Sequence, residues 1–302
     1  MNENEKQTVL ALGFFDGVHI GHAALLETAK RRAAQRGAEP VVLTFDMHPD
    51  MLVKRTEVAL LNSAADRAYI LRRYFSIDRV CYIHFDAETM HQDWWTFLEH
   101  IITQYGAAHF VVGQDFTFGD CGRGNAALLA DYCAAHGLGC DVIPEVVCDG
   151  TPVSSTGIRV LVRAGEMERA ALLLGHPHLL TGIVHTGHRM GRTMDFPTVN
   201  LAFAPGVLVP PHGVYAARAV LPGGVYNGVA NIGVRPTFGG KTLTVETNIF
   251  DFSGDLYGQE ICVELHAFLR PERPFPSAEA LSAQIRSDAD RARAYFAQGT
   301  GT

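Results

Sequence analysis

His19 and His22 stand three positions apart in the run Gly13-Phe14-Phe15-Asp16-Gly17-Val18-His19-Ile20-Gly21-His22. This is the composition of a phosphate-handling turn. Backbone N–H groups at a helix start are unpaired and carry partial positive charge, so a polyphosphate is well placed there. Two imidazoles add charge or hydrogen bonds, and Gly13, Gly17 and Gly21 let the main chain come close to a ligand. A single histidine at such a position is explained by capping or packing. The elements around the pair have to supply the rest. Thr8 to Leu12 is an apolar segment of strand length, and Leu25, Leu26, Ala29 and Ala33 recur at helical spacing until Gly37. The histidines therefore fall at a strand-to-helix junction.

The chain of 302 residues is about twice the usual domain size, which points to two domains. Hydrophobic residues at 47% and charged residues at 19% exclude a mainly disordered chain. A formal charge of −7 and the lack of a dense basic block argue against a nucleic-acid partner. Met1 to Gln7 is polar, and the apolar run behind it is too short for a signal-peptide core or a membrane span. The expectation is a cytoplasmic protein with no membrane partner. Cys81, Cys121, Cys133, Cys140, Cys148 and Cys262 form no Cys-x-x-Cys pair or Cys/His ligand pattern and read as scattered reduced thiols.

From Thr8 to about Val147 short apolar runs alternate with helical stretches. Strands are expected at Val41 to Phe45, Val80 to Phe85, His109 to Gly113 and Cys140 to Pro144. Helices are expected over Ala65 to Tyr74, Trp94 to Tyr105 and Asn125 to His136. Such alternation implies a Rossmann-like parallel sheet with ligands at the carboxyl ends of its strands. After Leu174 the pieces turn β-rich: Thr181 to Thr186, Gly213 to Leu221, Tyr226 to Ile232, Thr242 to Phe250 and Ile261 to Leu269, then a helix over Ala278 to Phe296. Closely spaced strands of this kind form an antiparallel sheet or small barrel. The reading is an α/β domain over 1–175 followed by a β-barrel domain with a terminal helix over 176–302, divided near Gly175 to Pro177.

Several separate segments of the first half resemble the bacterial bifunctional riboflavin kinase/FMN adenylyltransferase family. The histidine turn is similar to the His-x-Gly-His signature of nucleotidylyltransferases. Leu43-Thr44-Phe45-Asp46-Met47-His48-Pro49 resembles a family stretch Thr-Phe-x-Pro-His-Pro, with Met47 in place of the first proline. Val111-Val112-Gly113-Gln114-Asp115-Phe116-Thr117-Phe118-Gly119 resembles Val-Gly-x-Asp-Phe-x-Phe-Gly, and Ser154-Ser155-Thr156-Gly157-Ile158-Arg159 resembles Ser-Ser-Thr-x-Ile-Arg. The resemblance implies adenylyl transfer from ATP to FMN. Gly13, Phe14, Asp16, Gly17, Gly21, Ser155 and Thr156 would bind ATP, with His19, His22 and Arg159 on its phosphates and on the charge of the leaving group. His48, Asp115 and Phe116 would lie on the flavin side, although Phe116 and Phe118 also suit a core. Mg²⁺ is expected as cofactor because metal bridging of phosphates is general in such reactions.

The second half resembles the family's riboflavin kinase domain. Gly187 to Leu201 is similar to the block Gly-Arg-x-x-Gly-Phe-Pro-Thr-Ala-Asn, with Asp195 where the family has glycine. The resemblance carries an ATP-phosphate role to Gly191, and an ATP and Mg²⁺ role to Thr198 and Asn200. Glu246 corresponds to the kinase base, which a neutral ribityl hydroxyl requires, and Arg270 to a contact in the flavin-site wall. Riboflavin, FMN, FAD and ATP are the implied partners, and oligomeric state stays open. A carboxylate at Asp195 could repel ATP, so a transferase with an impaired kinase is one alternative; a non-catalytic flavin-binding protein is the other.

Overall fold

The computed structural model describes residues 6–185, 198–237 and 240–298, with backbone alone at 235–237 and 240–242. It packs as two compact units, one of residues 1–59 and 67–155 and one of residues 60–66 and 156–302.

The first unit is an α/β sandwich. Its elements are β1 (Thr8–Leu12), α1 (Ile20–Arg36), β2 (Glu39–Phe45), α2 (Pro49–Val53), α3 (Ala64–Phe75), β3 (Arg79–Ile83), α4 (Ala87–Met90), α5 (Trp94–Tyr105) and β4 (Ala107–Gly113). A small hairpin of β5 (Thr117–Phe118) and β6 (Gly124–Asn125) follows, then α6 (Ala126–Ala135), β7 (Gly139–Ile143) and a second hairpin, β8 (Val147–Cys148) with β9 (Thr151–Pro152). The five long strands are parallel in the order β3-β2-β1-β4-β7, the expected Rossmann-like sheet. All five residues of β1 are buried at its centre, and each Val or Leu side chain so placed contributes about 1.5–3 kcal/mol. Phe97, Leu98 and Ile101 of α5 cover one face with Phe110, Val112, Leu129 and Cys133. Phe118 joins this core and Phe116 stacks on it with ring centroids 5.4 Å apart, which settles Phe118 as packing.

The second unit opens with α7 (Ser155–Ala164) and α8 (Met167–Leu174), which ends on Gly175 at φ 78°. Then come β10 (His178–Ile183), β11 (Thr198–Leu201), β12 (Gly213–Leu221), β13 (Gly224–Thr237), β14 (Gly240–Ile249), β15 (Glu260–Pro271) and α9 (Ala278–Ala297). The six strands form one antiparallel sheet in the order β10-β15-β12-β13-β14-β11. It curls on itself: the two outermost strands meet where the His185 N–H donates to the Asn200 carbonyl at 3.1 Å. Tyr215, Ile232, Val245, Val263 and Leu265 fill its interior with Met167 of α8. Helix α9 starts on Ser277, whose hydroxyl accepts the Ala280 N–H, and lays Ala289 and Ala292 against Ala216 and Ala267. Among the described residues no helix is long and apolar enough to cross a membrane.

Candidate active sites

The turn between β1 and α1 is built from backbone conformations that only a well-supported loop holds. Phe15 (φ 58°), Gly17 (φ 79°) and Val18 (φ 42°) all lie in the left-handed region. Glycine accepts this freely at Gly17, whereas Phe15 and Val18 store strain that their complete burial offsets. His19 caps α1: its Nδ1 accepts the His22 N–H at 3.4 Å, which leaves Nε2 as its other hydrogen-bonding position. The His22 ring lies on that of His19 with centroids 3.7 Å apart.

Gly21 explains how the two rings fit. It is helical, and a Cβ there would sit 3.0 Å from both Cε1 and Nδ1 of His19, so this glycine leaves room for a side chain more than for a ligand. Burial, His19 and the charge of Arg67 hold the His22 imidazole well below its ordinary proton affinity. Its Nδ1 is buried and has no hydrogen-bond partner among the described residues. A polyphosphate at the turn would bring negative charge beside His22 and so offset the charge of Arg67.

The neighbouring segments close around the turn. Thr44 at the end of β2 donates to the Phe14 carbonyl at 3.0 Å, and the Ser155 hydroxyl donates to the Asp16 carbonyl at 2.8 Å. His48 caps α2 by accepting the Asp50 N–H, with its ring edge-on to Phe14 at 4.6 Å. Met47 thus leaves His48 in an ordered cap. Gly13 lies under the Phe15 ring, 3.2 Å from where its own Cβ would be. Asp115 is exposed, with its carboxylate folded over Gly113. Thr156 and Arg159 follow Ser155 in the first turns of α7, and the Arg159 guanidinium donates to Thr156 Oγ1 at 3.4 Å.

In the second unit, sheet register assembles a row of polar side chains. Asn200 of β11 pairs with Glu246 of β14, which pairs with Asn231 of β13, while Thr198 pairs with Asn248. Their sequence neighbours Val199, Leu201, Val245 and Ile232 point into the core, so Thr198, Asn200, Glu246 and Asn231 share the opposite face. Asn231 also donates to Glu272 at 3.3 Å. Arg270 reaches α9: its Nε and Nη2 hold the buried Asp288 carboxylate, the closest at 2.6 Å, its Nη1 donates to the Pro271 carbonyl at 3.0 Å, and Gln284 donates to Asp288 as well. Gly191 and Asp195 lie outside the described residues.

Comparison with known proteins accounts for both halves. A model of the FAD synthetase family matches residues 1–157, and a model of the riboflavin kinase family matches residues 174–296. A bifunctional riboflavin kinase/FMN adenylyltransferase of Bacillus subtilis is 34% identical over 301 residues, spanning 98% of this chain and 95% of the relative. The chain belongs to the bifunctional riboflavin kinase/FMN adenylyltransferase family. The Escherichia coli K12 member is 33% identical over 95% of this chain and 92% of its own length. A solved structure titled a macrolide-efflux protein from Streptococcus pneumoniae covers 95% of this chain and 94% of its own, at a TM-score of 0.78 and 29% identity.

Within this family frame, residues of note that the sequence reading missed are Arg67, Asn231 and Asp288. Arg67 had one signal, since it lies on the helical face of Ile70 and Leu71, where an apolar residue is the rule. Asn231 opens a family-like block, Asn231 to Phe238, but only sheet register sets it beside Glu246, and Asp288 had no signal because helix docking brings it in from distant sequence.

Proposed function

We propose that the Gly13–His22 turn holds the phosphates of ATP for transfer of AMP to FMN, and that the row Thr198, Asn200 and Glu246 serves phosphorylation of riboflavin. Both activities belong to the family, so one chain converts riboflavin to FMN and FMN to FAD with release of pyrophosphate. The observation that carries the assignment is the stacked histidine pair, His19 buried and His22 half-buried, at the carboxyl end of the central strand and the start of a helix.

Adenylyl transfer needs alignment rather than a strong base, because the attacking FMN phosphate is already ionised. His19 offers Nε2 as a donor, and His22 stabilises charge as pyrophosphate leaves; Gly13, Phe14, Asp16, Gly17 and Gly21 shape the turn. Ser155, Thr156 and Arg159 supply hydroxyls and a guanidinium fork at the start of α7. His48, Asp115 and Phe116 are assigned to the flavin side of this site.

Phosphorylation of riboflavin differs, since a neutral hydroxyl must lose its proton. That role is assigned to Glu246, and its register level with Asn200 on the adjoining strand supports the reading. The donor set fits Mg²⁺. Thr198 and Asn200 offer neutral oxygens, and no cluster of three or more His, Cys, Asp or Glu that could hold an ion unaided occurs among the described residues. An ion shared with ATP phosphates suits such a site, and it would neutralise charge on the transferred group. Arg270 acts here by fixing α9 to β15, which shapes the wall assigned to flavin.

Purified protein given riboflavin, ATP and Mg²⁺ should yield FMN and then FAD. Glu246→Gln should cut FMN formation by about 10²- to 10⁴-fold while still making FAD from supplied FMN. His22→Ala should do the reverse. A variant that keeps the step assigned to its residue would refute that assignment.

A further inference from the structure

Arg67 is the largest fully buried side chain among the described residues, 1% exposed on α3. Its guanidinium donates to the Phe14 carbonyl at 2.5 Å and to the Phe45 carbonyl at 3.0 Å, and lies 4.4 Å over the Phe14 ring and 5.4 Å from the Tyr82 ring. Asp16 and Asp46 are close enough to act on its charge. Burying a cation to hydrogen-bond main-chain carbonyls is costly, and an apolar side chain would pack the same space more cheaply. Something other than core stability keeps it there.

The Phe14 carbonyl is the informative partner, because Thr44 and Arg67 both donate to this one oxygen. A trans peptide points its C=O and N–H in opposite directions. Fixing the Phe14 oxygen toward Arg67 and Thr44 therefore turns the Phe15 N–H away from them. A loop that receives phosphate must keep carbonyl oxygens from facing the anion, and the positive φ of Phe15, Gly17 and Val18 leaves this segment with alternative peptide orientations nearby. Arg67 also adds a buried positive charge beside His22.

We propose that Arg67 and Thr44 form a carbonyl clamp that sets the orientation of the Phe14–Phe15 peptide, making Arg67 a positioning residue for ATP in the adenylyl transfer step. The inference rests on the reading of this turn as the ATP-phosphate site. Lysine at position 67 keeps the charge but cannot bridge two carbonyls with a planar fork, and Thr44→Val removes one donor at nearly constant shape.

The test measures KM for ATP in both reactions of the intact protein. Losing one hydrogen bond should raise KM for ATP in FAD formation about 3- to 10-fold in Thr44→Val, and at least as much in Arg67→Lys. KM for ATP in FMN formation should stay at the wild-type value in the same preparations. Arg67→Met should be worse than Arg67→Lys, and the double Thr44→Val/Arg67→Lys variant should fall short of the product of the singles, because both act on one oxygen. If Arg67→Met does not fold, Thr44→Val and Arg67→Lys carry the test. An unchanged KM for FAD formation in both, or a parallel rise in the two reactions, overturns the clamp. His22→Ala separates the two levels: retained FAD formation there overturns the ATP-site reading itself.

Discussion

Replacing Gly21 by alanine sets stability against activity. An added Cβ would meet His19 Cε1 and Nδ1 at 3.0 Å, so the ring has to yield by a few tenths of an ångström. Position 21 is the second residue of α1, so alanine is favoured over glycine there by at most the roughly 0.8–1.0 kcal/mol of a helix interior. Against this stands the His19 cap on the His22 N–H, whose loss costs about 1 kcal/mol. The two nearly cancel, and thermal unfolding should move little. The chemistry has no such compensation. Since misplacing a reacting group by 1 Å costs about 10²-fold, a shift of a few tenths in the stacked pair should slow FAD formation about 3- to 10-fold. The assay is FAD production from FMN and ATP, with FMN production from riboflavin as the internal control. Wild-type FAD formation in Gly21→Ala would refute the argument that this glycine exists to seat His19, and equal loss of both activities would show a general effect of folding.

Two further predictions concern stability. His178 is fully buried, and burial followed by the neighbouring His176 lowers its pKa to about 4, below the ordinary 6.5 that the unfolded chain retains. The unfolded state therefore binds the proton first, and stability should fall as pH drops from about 6.5 to 4, by at most about 3 kcal/mol. Denaturant unfolding across that range should show a shallower slope in His178→Leu, and an unchanged slope would contradict this account. Asp288→Asn leaves the Arg270 guanidinium without its buried counter-charge, which costs about 3–5 kcal/mol for a pair of this kind. FMN formation should lose heat resistance, and a loss under about 1 kcal/mol would mean that water relieves the pair.

Long periodic elements were readable from the sequence, since burial stripe and caps agree. Trp94 to Tyr105 is one helix to the residue, and Asn125 and Ser277 cap their helices with side-chain oxygens. The parallel and antiparallel halves followed from the same patterns. Short elements escaped: α2 and α4 are too brief for a helical period, and β11 was hidden inside a motif read for its chemistry. Strand β13 runs past Ile232 to Thr237 because cross-strand pairing carries it through a Gly-Val-Arg-Pro stretch that breaks alternation. Local motifs supplied His19, His22 and Glu246. No motif pairs Arg270 with Asp288, the residue 18 positions away that its guanidinium engages. The burial of Arg67 had only its place on an apolar helical face as a signal, and its carbonyl partners Phe14 and Phe45 come from three-dimensional packing.

The level pairing of Asn200, Glu246 and Asn231 also bears on errors of assembly. A slip of one residue in β14 would put Val245 or Thr247 on the polar face and drive the Glu246 carboxylate in among Leu201, Ile232 and Leu265. Such a sheet buries an unpaired charge and exposes apolar side chains, so it is disfavoured before any substrate arrives. The selection that keeps the strand in register is thus the same one that keeps Glu246 level with Asn200 and Asn231. Misaligned molecules should be lost to unfolding and degradation, and seldom survive as a stable but inactive population.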